Sequence, residues 1–478
     1  MTFNYAALTD TIEIEDITSN THNQIILQQL KDNDESFDKL YIMDSDSGED
    51  DEYITKDGED IGWLGYFIGQ NTKLKCLYFH DKINDESFYK EMSCNKSIKE
   101  IHFNEESLLD GNMIRMLGPF LQNNHNLSRI TLDECEFGIE DGRQLSLAIG
   151  SCSKSLKHIE ITNNEMVDGQ LVEIITALSI HPQLTKLCLV NNGPTIGRNE
   201  CTALSTLLRH TTTQLETLNL NCNYIDDEKL EVLVNTLTNV NTLKELDLGC
   251  NRPTLNGWKR VVSLLELPES TLKKLFVSYN NNIGDEGALV FANALTNNST
   301  LEHLYLTNCG VTDDGWTPFS KLLCNTSSVN NTYTSNHTLL TILGMPRRYK
   351  QLLDLNRSYQ NKQQVAMLKI LQHHYHFDVQ PFFEWEFKVL PIMIEWFTKA
   401  STRLDVSFVD KINKMKLSVI HDFVKEFPML YIEPVTRKEI AECTAVEEEL
   451  QGGDAIGREQ DVRLEEIRQR KARALRRL

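Results

Sequence analysis

The sequence lacks most of the marks by which an enzyme, a secreted protein or a membrane protein is recognised. It contains no run of ~18 uninterrupted apolar residues, so no transmembrane helix is expected. Its first residues carry neither the basic nor the apolar stretch of a signal peptide, so none is expected. The 11 cysteines include no Cys-x-x-Cys pair. An odd number in a long chain without paired spacing argues against a disulfide framework and for a reduced, intracellular protein. On that reading the sequons Asn325-Thr-Ser327 and Asn336-His-Thr338 are chemically silent. There is no phosphate loop, dinucleotide fingerprint, nucleophile elbow, HExxH pair or kinase HRD signature. Positive charge is also in deficit: 48 basic against 69 acidic side chains leave a net charge of −21 over 478 residues. Nucleic acid and anionic membranes would repel such a chain as a whole.

What the chain does contain is a repeat, the feature to be sought before any other. It reads Leu-x-x-Leu-x-Leu-x-x followed by Asn or Cys, with clear copies at Leu156, Leu184, Leu215, Leu243, Leu272 and Leu301 and weaker ones at Phe37, Leu74, Ile98, Leu127 and Ser328. From Leu127 to Leu301 successive copies are 29, 28, 31, 28, 29 and 29 residues apart. The apolar residues, Leu243, Leu246 and Leu248 in one copy, point inward from a short strand, and Glu245 and Asp247 between them point outward. The asparagine at the ninth position (Asn164, Asn192, Asn223, Asn251, Asn280 and Asn336) turns the chain inward, where its amide satisfies backbone groups; Cys135 and Cys309 replace it. An aliphatic residue and then Asp follow each turn, as in Ile225/Asp227 and Ile283/Asp285, with a helical pattern beyond. The aspartate is expected to cap its own helix.

The spacing, the asparagine and the aspartate together resemble the ribonuclease-inhibitor-like class of leucine-rich repeats over roughly residues 37–340. The resemblance implies an α/β solenoid of about eleven repeats, a horseshoe with a parallel concave sheet and convex helices. It does not imply inhibition of a ribonuclease, because the class serves many intracellular interaction proteins. Residues 1–36 read as a partly disordered cap, and 44–60 as an acidic insertion forming a solvated loop, the alternatives being a docking site for a basic partner or phosphorylation at Ser47, which Glu49 and Asp50 follow. The spacing within that insertion does not fit a calcium loop. After residue 340 the period is lost. Residues 341–435 read as an all-α domain with an aromatic segment Pro381–Phe397, and 436–478 as a polar tail ending in six basic residues.

These features point to a non-enzymatic scaffold that binds a protein partner through the concave face, in the cytoplasm or also the nucleus. Neither catalytic residues nor a cofactor, membrane, nucleic-acid or small-molecule partner is expected. The His373-His374-Tyr375-His376 run does not read as a metal site, because consecutive histidines on a helix point to different faces. The binding face is expected to use Tyr78, His102, Arg129, Glu160, Lys186, Glu245, Asp247, Lys274, Phe276, His303 and Tyr305. Charge of both signs with terminal aromatics suits a protein surface. The alternative is a GTPase activator. Ran GTPase-activating proteins use this repeat class and carry an arginine finger in a Thr-Gly-Arg context. Here Thr195-Ile-Gly-Arg198 is similar, with an Ile inserted, and Arg198 is the candidate finger.

Overall fold

A computed structural model describes residues 4–374 apart from 45–50, 56–60, 105–109, 136, 139, 165, 167–168, 193–195, 210–213 and 359–360, together with 442–443, 445–446 and 465–470. The chain divides into two compact units, Met1–Ala366 and Met367–Leu478. The first is built on one sheet of twelve strands. These are β1 (Lys39–Met43), β2 (Glu52–Ile54), β3 (Cys76–Phe79), β4 (Glu100–Phe103), β5 (Arg129–Asp133), β6 (His158–Thr162), β7 (Lys186–Val190), β8 (Thr217–Asn219), β9 (Glu245–Asp247), β10 (Lys274–Phe276), β11 (His303–Tyr305) and β12 (Thr341–Leu343). Every pairing is parallel, and from β3 to β12 sheet order follows chain order, the plan of a leucine-rich-repeat horseshoe.

Register follows the leucine pattern. Leu218, Leu246, Leu275, Leu304 and Ile342 are consecutive partners across the sheet, each no more than 2 % exposed. Alternation then turns Glu245 and Asp247 to the other face. Helices such as Asp227–Leu237 and Leu255–Glu266 return the chain behind the sheet and bury their apolar stripes, Trp258, Val261 and Leu265 among them. Asn251 is typical of the ninth position. Its Nδ2 donates to Leu220 O and Gly249 O, both at 3.0 Å, and its Oδ1 accepts from Asn223 N at 3.1 Å and Ile225 N at 2.9 Å. Cys309 at the same position gives its thiol to Val277 O at 3.2 Å.

Several details differ from the sequence reading. The last copy of the repeat starts at Leu339, not Ser328, because residues 324–338 form an inserted turn with a short helix, Val329–Tyr333. Asn336 therefore does not stand at the ninth position. Its Nδ2 donates to Leu295 O at 2.9 Å and its Oδ1 accepts from Leu339 N at 3.0 Å, so it joins a second ladder on the opposite rim with Asn71, Asn95, Asn124 and Asn298. The aspartates do not all cap their own helices. Asp85 does, accepting from Phe88 N at 2.8 Å, but Asp227 accepts from Thr254 N and Asp285 from Thr312 N of the following repeat, both at 2.7 Å. Each stands in the first turn of its own helix, so its carboxylate reaches the neighbouring loop instead.

At the N-terminal end, Thr21–Asp32 is a helix that buries Ile26, Leu27 and Leu30, and Tyr5 packs edge-on against Trp63 with ring centroids 5.0 Å apart. Part of the acidic insertion is strand rather than loop: β2 adds the edge beside β1, and Asn23 fastens it by donating to Ile54 O at 2.8 Å and accepting from Ile54 N at 2.9 Å. Ser47, Tyr375, His376 and the aromatic segment lie outside the described residues, as do most of 341–435 and most of the tail. Of the C-terminal helical segments, Arg347–Ser358 and Lys362–His373 are described. No helix among the described residues is long and apolar enough to cross a membrane.

Candidate protein-binding face

Each strand offers the outer face of the sheet two side chains, so the face carries two columns. One runs Glu100, Arg129, His158, Lys186, Thr217, Glu245, Lys274, His303. The other runs Tyr41, Tyr78, His102, Thr131, Glu160, Cys188, Asn219, Asp247, Phe276, Tyr305 and Leu343. All eleven residues singled out from the sequence stand in these columns, carried by short strands on a continuous leucine core.

The centre is ionic. Glu160 Oε1 takes Arg129 Nη2 at 2.9 Å and Lys186 Nζ at 2.6 Å, and Arg129 Nη1 lies 3.6 Å from Glu100. Burial alone would raise the Glu160 carboxyl, but the bond from Lys186 and the Arg129 charge outweigh it and hold the carboxyl below its usual range. Burial would likewise lower Arg129 and Lys186, and Glu160 reverses both. His102 is held below its ordinary value by burial and then by Arg129, against the pull of Glu100. Further along, burial raises the Asp247 carboxyl, although Gly249 N at 2.8 Å and Asn221 Nδ2 at 3.3 Å donate to it.

The two ends are aromatic. Tyr41, Tyr78 and His102 form one continuous stack, with centroids 4.3 Å apart at each step. Burial, together with the neighbouring Cys76 and Tyr41, pushes the Tyr78 hydroxyl up to about 12. Phe276 and Tyr305 stack at 4.1 Å with planes 10° apart, both half-buried, beside the Lys274–Glu245 ion pair at 2.5 Å. Sequence reasoning missed Leu343, which continues this end next to Tyr305 and is 46 % exposed. Its signal was the Leu339…Ile342 spacing, hidden by the inserted turn before it. Arg198 stands apart from this face: it is the exposed first residue of the helix Arg198–Arg209, and Thr195 lies outside the described residues. Among the described residues no three His, Cys, Asp or Glu side chains group as metal ligands.

A family model for the leucine-rich repeat matches residues 270–292 and 297–320. Mouse NACHT, LRR and PYD domains-containing protein 4C is 26 % identical over 232 residues, 48 % of this chain and 23 % of that protein. Pig ribonuclease inhibitor is 31 % identical over 210 residues, 43 % of this chain and 44 % of that protein. The mouse ribonuclease inhibitor is 28 % identical over the same shares of the two chains. The match thus spans less than half the length of these relatives. A solved TLR13–ssRNA13 complex aligns over 55 % of this chain and 29 % of its own at 16 % identity, with a TM-score of 0.30. The repeats, their register and these matches together make the chain a leucine-rich-repeat solenoid distantly homologous to the ribonuclease inhibitors.

Proposed function

We propose that this protein is an intracellular, non-catalytic scaffold whose concave sheet binds a protein partner, with Phe276 and Tyr305 as the anchor. The stacked pair is the observation that carries this reading. Two half-buried rings held 4.1 Å apart on rigid strands offer apolar area at little entropic cost. Lys274, Glu245, His303 and Asp247 supply a polar rim of the kind that surrounds interface anchors. The ionic centre adds charge of both signs, which favours specificity over raw affinity. The test is partner recovery from native cells with Phe276→Ala/Tyr305→Ala. Lost recovery with unchanged melting supports the anchor, and unchanged recovery removes it. GTPase activation through Arg198 has no support beyond that residue's exposure. A panel of small GTPases whose hydrolysis is unaffected by the protein would dismiss it.

A further inference from the structure

The lower rim, where the second asparagine ladder runs, is sorted by charge along the array. Its segment in the first repeat, 34–38, holds the acids Asp34, Glu35 and Asp38 and no base. The next five segments, 71–75, 95–99, 124–128, 153–157 and 181–185, hold six lysines and two histidines and no acid. Further on, 212–216, 240–244, 269–273 and 298–302 carry both signs.

The residues that follow the first core position form a column on this rim. Lys99 N donates to Lys75 O at 2.7 Å, Ser128 N to Lys99 O at 2.8 Å and Lys157 N to Ser128 O at 2.9 Å, so these four stand on successive rungs. Lys99 and Lys157 are thus two strand spacings apart, about 10 Å. Elsewhere in the column lysine faces a carboxylate: Lys75 meets Asp38 at 3.2 Å, Lys244 meets Glu216 at 2.5 Å and Lys273 meets Glu302 at 3.1 Å. Lys99 and Lys157 do not, nor do Lys96 and Lys154 beside them. All four are exposed, and none forms an ion pair among the described residues. The acids nearest in the chain are engaged elsewhere, Glu91 lying 3.8 Å from Lys90, and Glu100 and Glu160 being held by Arg129 on the concave face. Lys96 donates to Asn123 O at 2.8 Å, at the end of a helix whose dipole favours a cation, and keeps its charge.

We propose that Lys96, Lys99, Lys154 and Lys157 form a docking surface for a short acidic segment of a protein partner, outside the concave face and independent of the Phe276–Tyr305 anchor. Charge complementarity chooses the occupant. A long polyanion or an anionic membrane would extend over the rest of the surface and meet the acid that gives the chain its net charge of −21. A short acidic segment senses only charges within a Debye length, ~8 Å at physiological salt. An extended peptide places alternate side chains ~7 Å apart on one face, a spacing that lysines on neighbouring rungs can follow. The row is fixed by backbone bonds, so only side chains are ordered on binding.

The probe is a fluorescein-labelled hexaglutamate peptide, titrated into the full chain at low salt and read by anisotropy. Saturable binding is expected, and it should vanish near about 0.5 M salt, where screening removes exposed charge pairs. Lys99→Glu/Lys157→Glu should weaken it by about ten-fold or more. Lys244→Glu/Lys273→Glu changes the net charge equally but lies in the stretch of both signs, and should weaken it by less than about two-fold. These four lysines are exposed, so the substitutions leave the core intact; if the first variant still fails to fold, Lys96→Glu/Lys154→Glu takes its place. Equal loss in the two double variants would assign binding to the field of the whole molecule and overturn the proposal. Peptide binding that does not saturate, or tighter binding by phosphatidylserine vesicles or by single-stranded DNA of the same charge, would overturn it as well.

Discussion

Glu160 Oε1 lies 2.6 Å from Lys186 Nζ, a bond between neighbouring strands that holds a carboxylate on the concave face although burial opposes its charge. Replacing it by glutamine leaves Arg129 and Lys186 facing each other without their shared anion. Glu160→Gln should cost about 1–2 kcal/mol, the range for losing charge-assisted bonds on a half-buried surface. Because the folded carboxyl is held below 4.5, its stabilisation is present above that pH and is lost as pH falls through the lower folded value. Chemical denaturation of the variant and the wild type at pH 7 and pH 3 measures both effects, and their difference should shrink in acid.

Histidines set an earlier acid response. Burial holds His102, His158, His181 and His303 below 6.5. The unfolded chain therefore takes up protons first as pH drops below about 6.5, and the folded state loses stability from that point downward. Melting temperatures should fall between pH 6.5 and 5, and His102→Gln should flatten that slope. An unchanged slope in the variant would show that His102 carries none of it.

The core register predicts two losses. Leu246, fully buried on β9, should cost about 2–5 kcal/mol as Leu246→Ala through lost burial and the cavity left behind. Asn251→Ala removes a side chain that bonds four backbone groups and should cost about 1–3 kcal/mol. Urea midpoints of both variants equal to the wild type's would contradict the register.

Two glycines should respond in opposite directions. Gly310 holds φ +69°, and a Cβ there would stand 2.5 Å from Asn281 O, so Gly310→Ala should destabilise by about 1–3 kcal/mol. Gly150 lies inside the helix Asp141–Ser151, and a Cβ there would meet only Ala177 Cβ, at 3.9 Å. Gly150→Ala should stabilise by about 0.5–1 kcal/mol through the smaller entropy of the unfolded chain. Calorimetric melting of the two variants side by side checks the signs.

The leucine pattern alone sets the sheet and its outer columns. Leucines two and three residues apart can be buried together in only one register, so Glu160, Asp247, Phe276 and Tyr305 had to face outward wherever the pattern was intact. What the columns do to one another comes from the stacking of the folded repeats. That Phe276 stacks on Tyr305, or that Glu160 is shared by Arg129 and Lys186, depends on side chains about 30 residues apart meeting across a rung. The folded chain also decided the ends and the lower rim. The turn before β12 lengthens the last period and hides Leu343, while Asn23 recruits β2 from an acidic stretch whose composition reads as loop. The second ladder escaped notice because its asparagines lie outside the leucine pattern and their partners are backbone carbonyls of the repeat before, which no periodicity in side chains records.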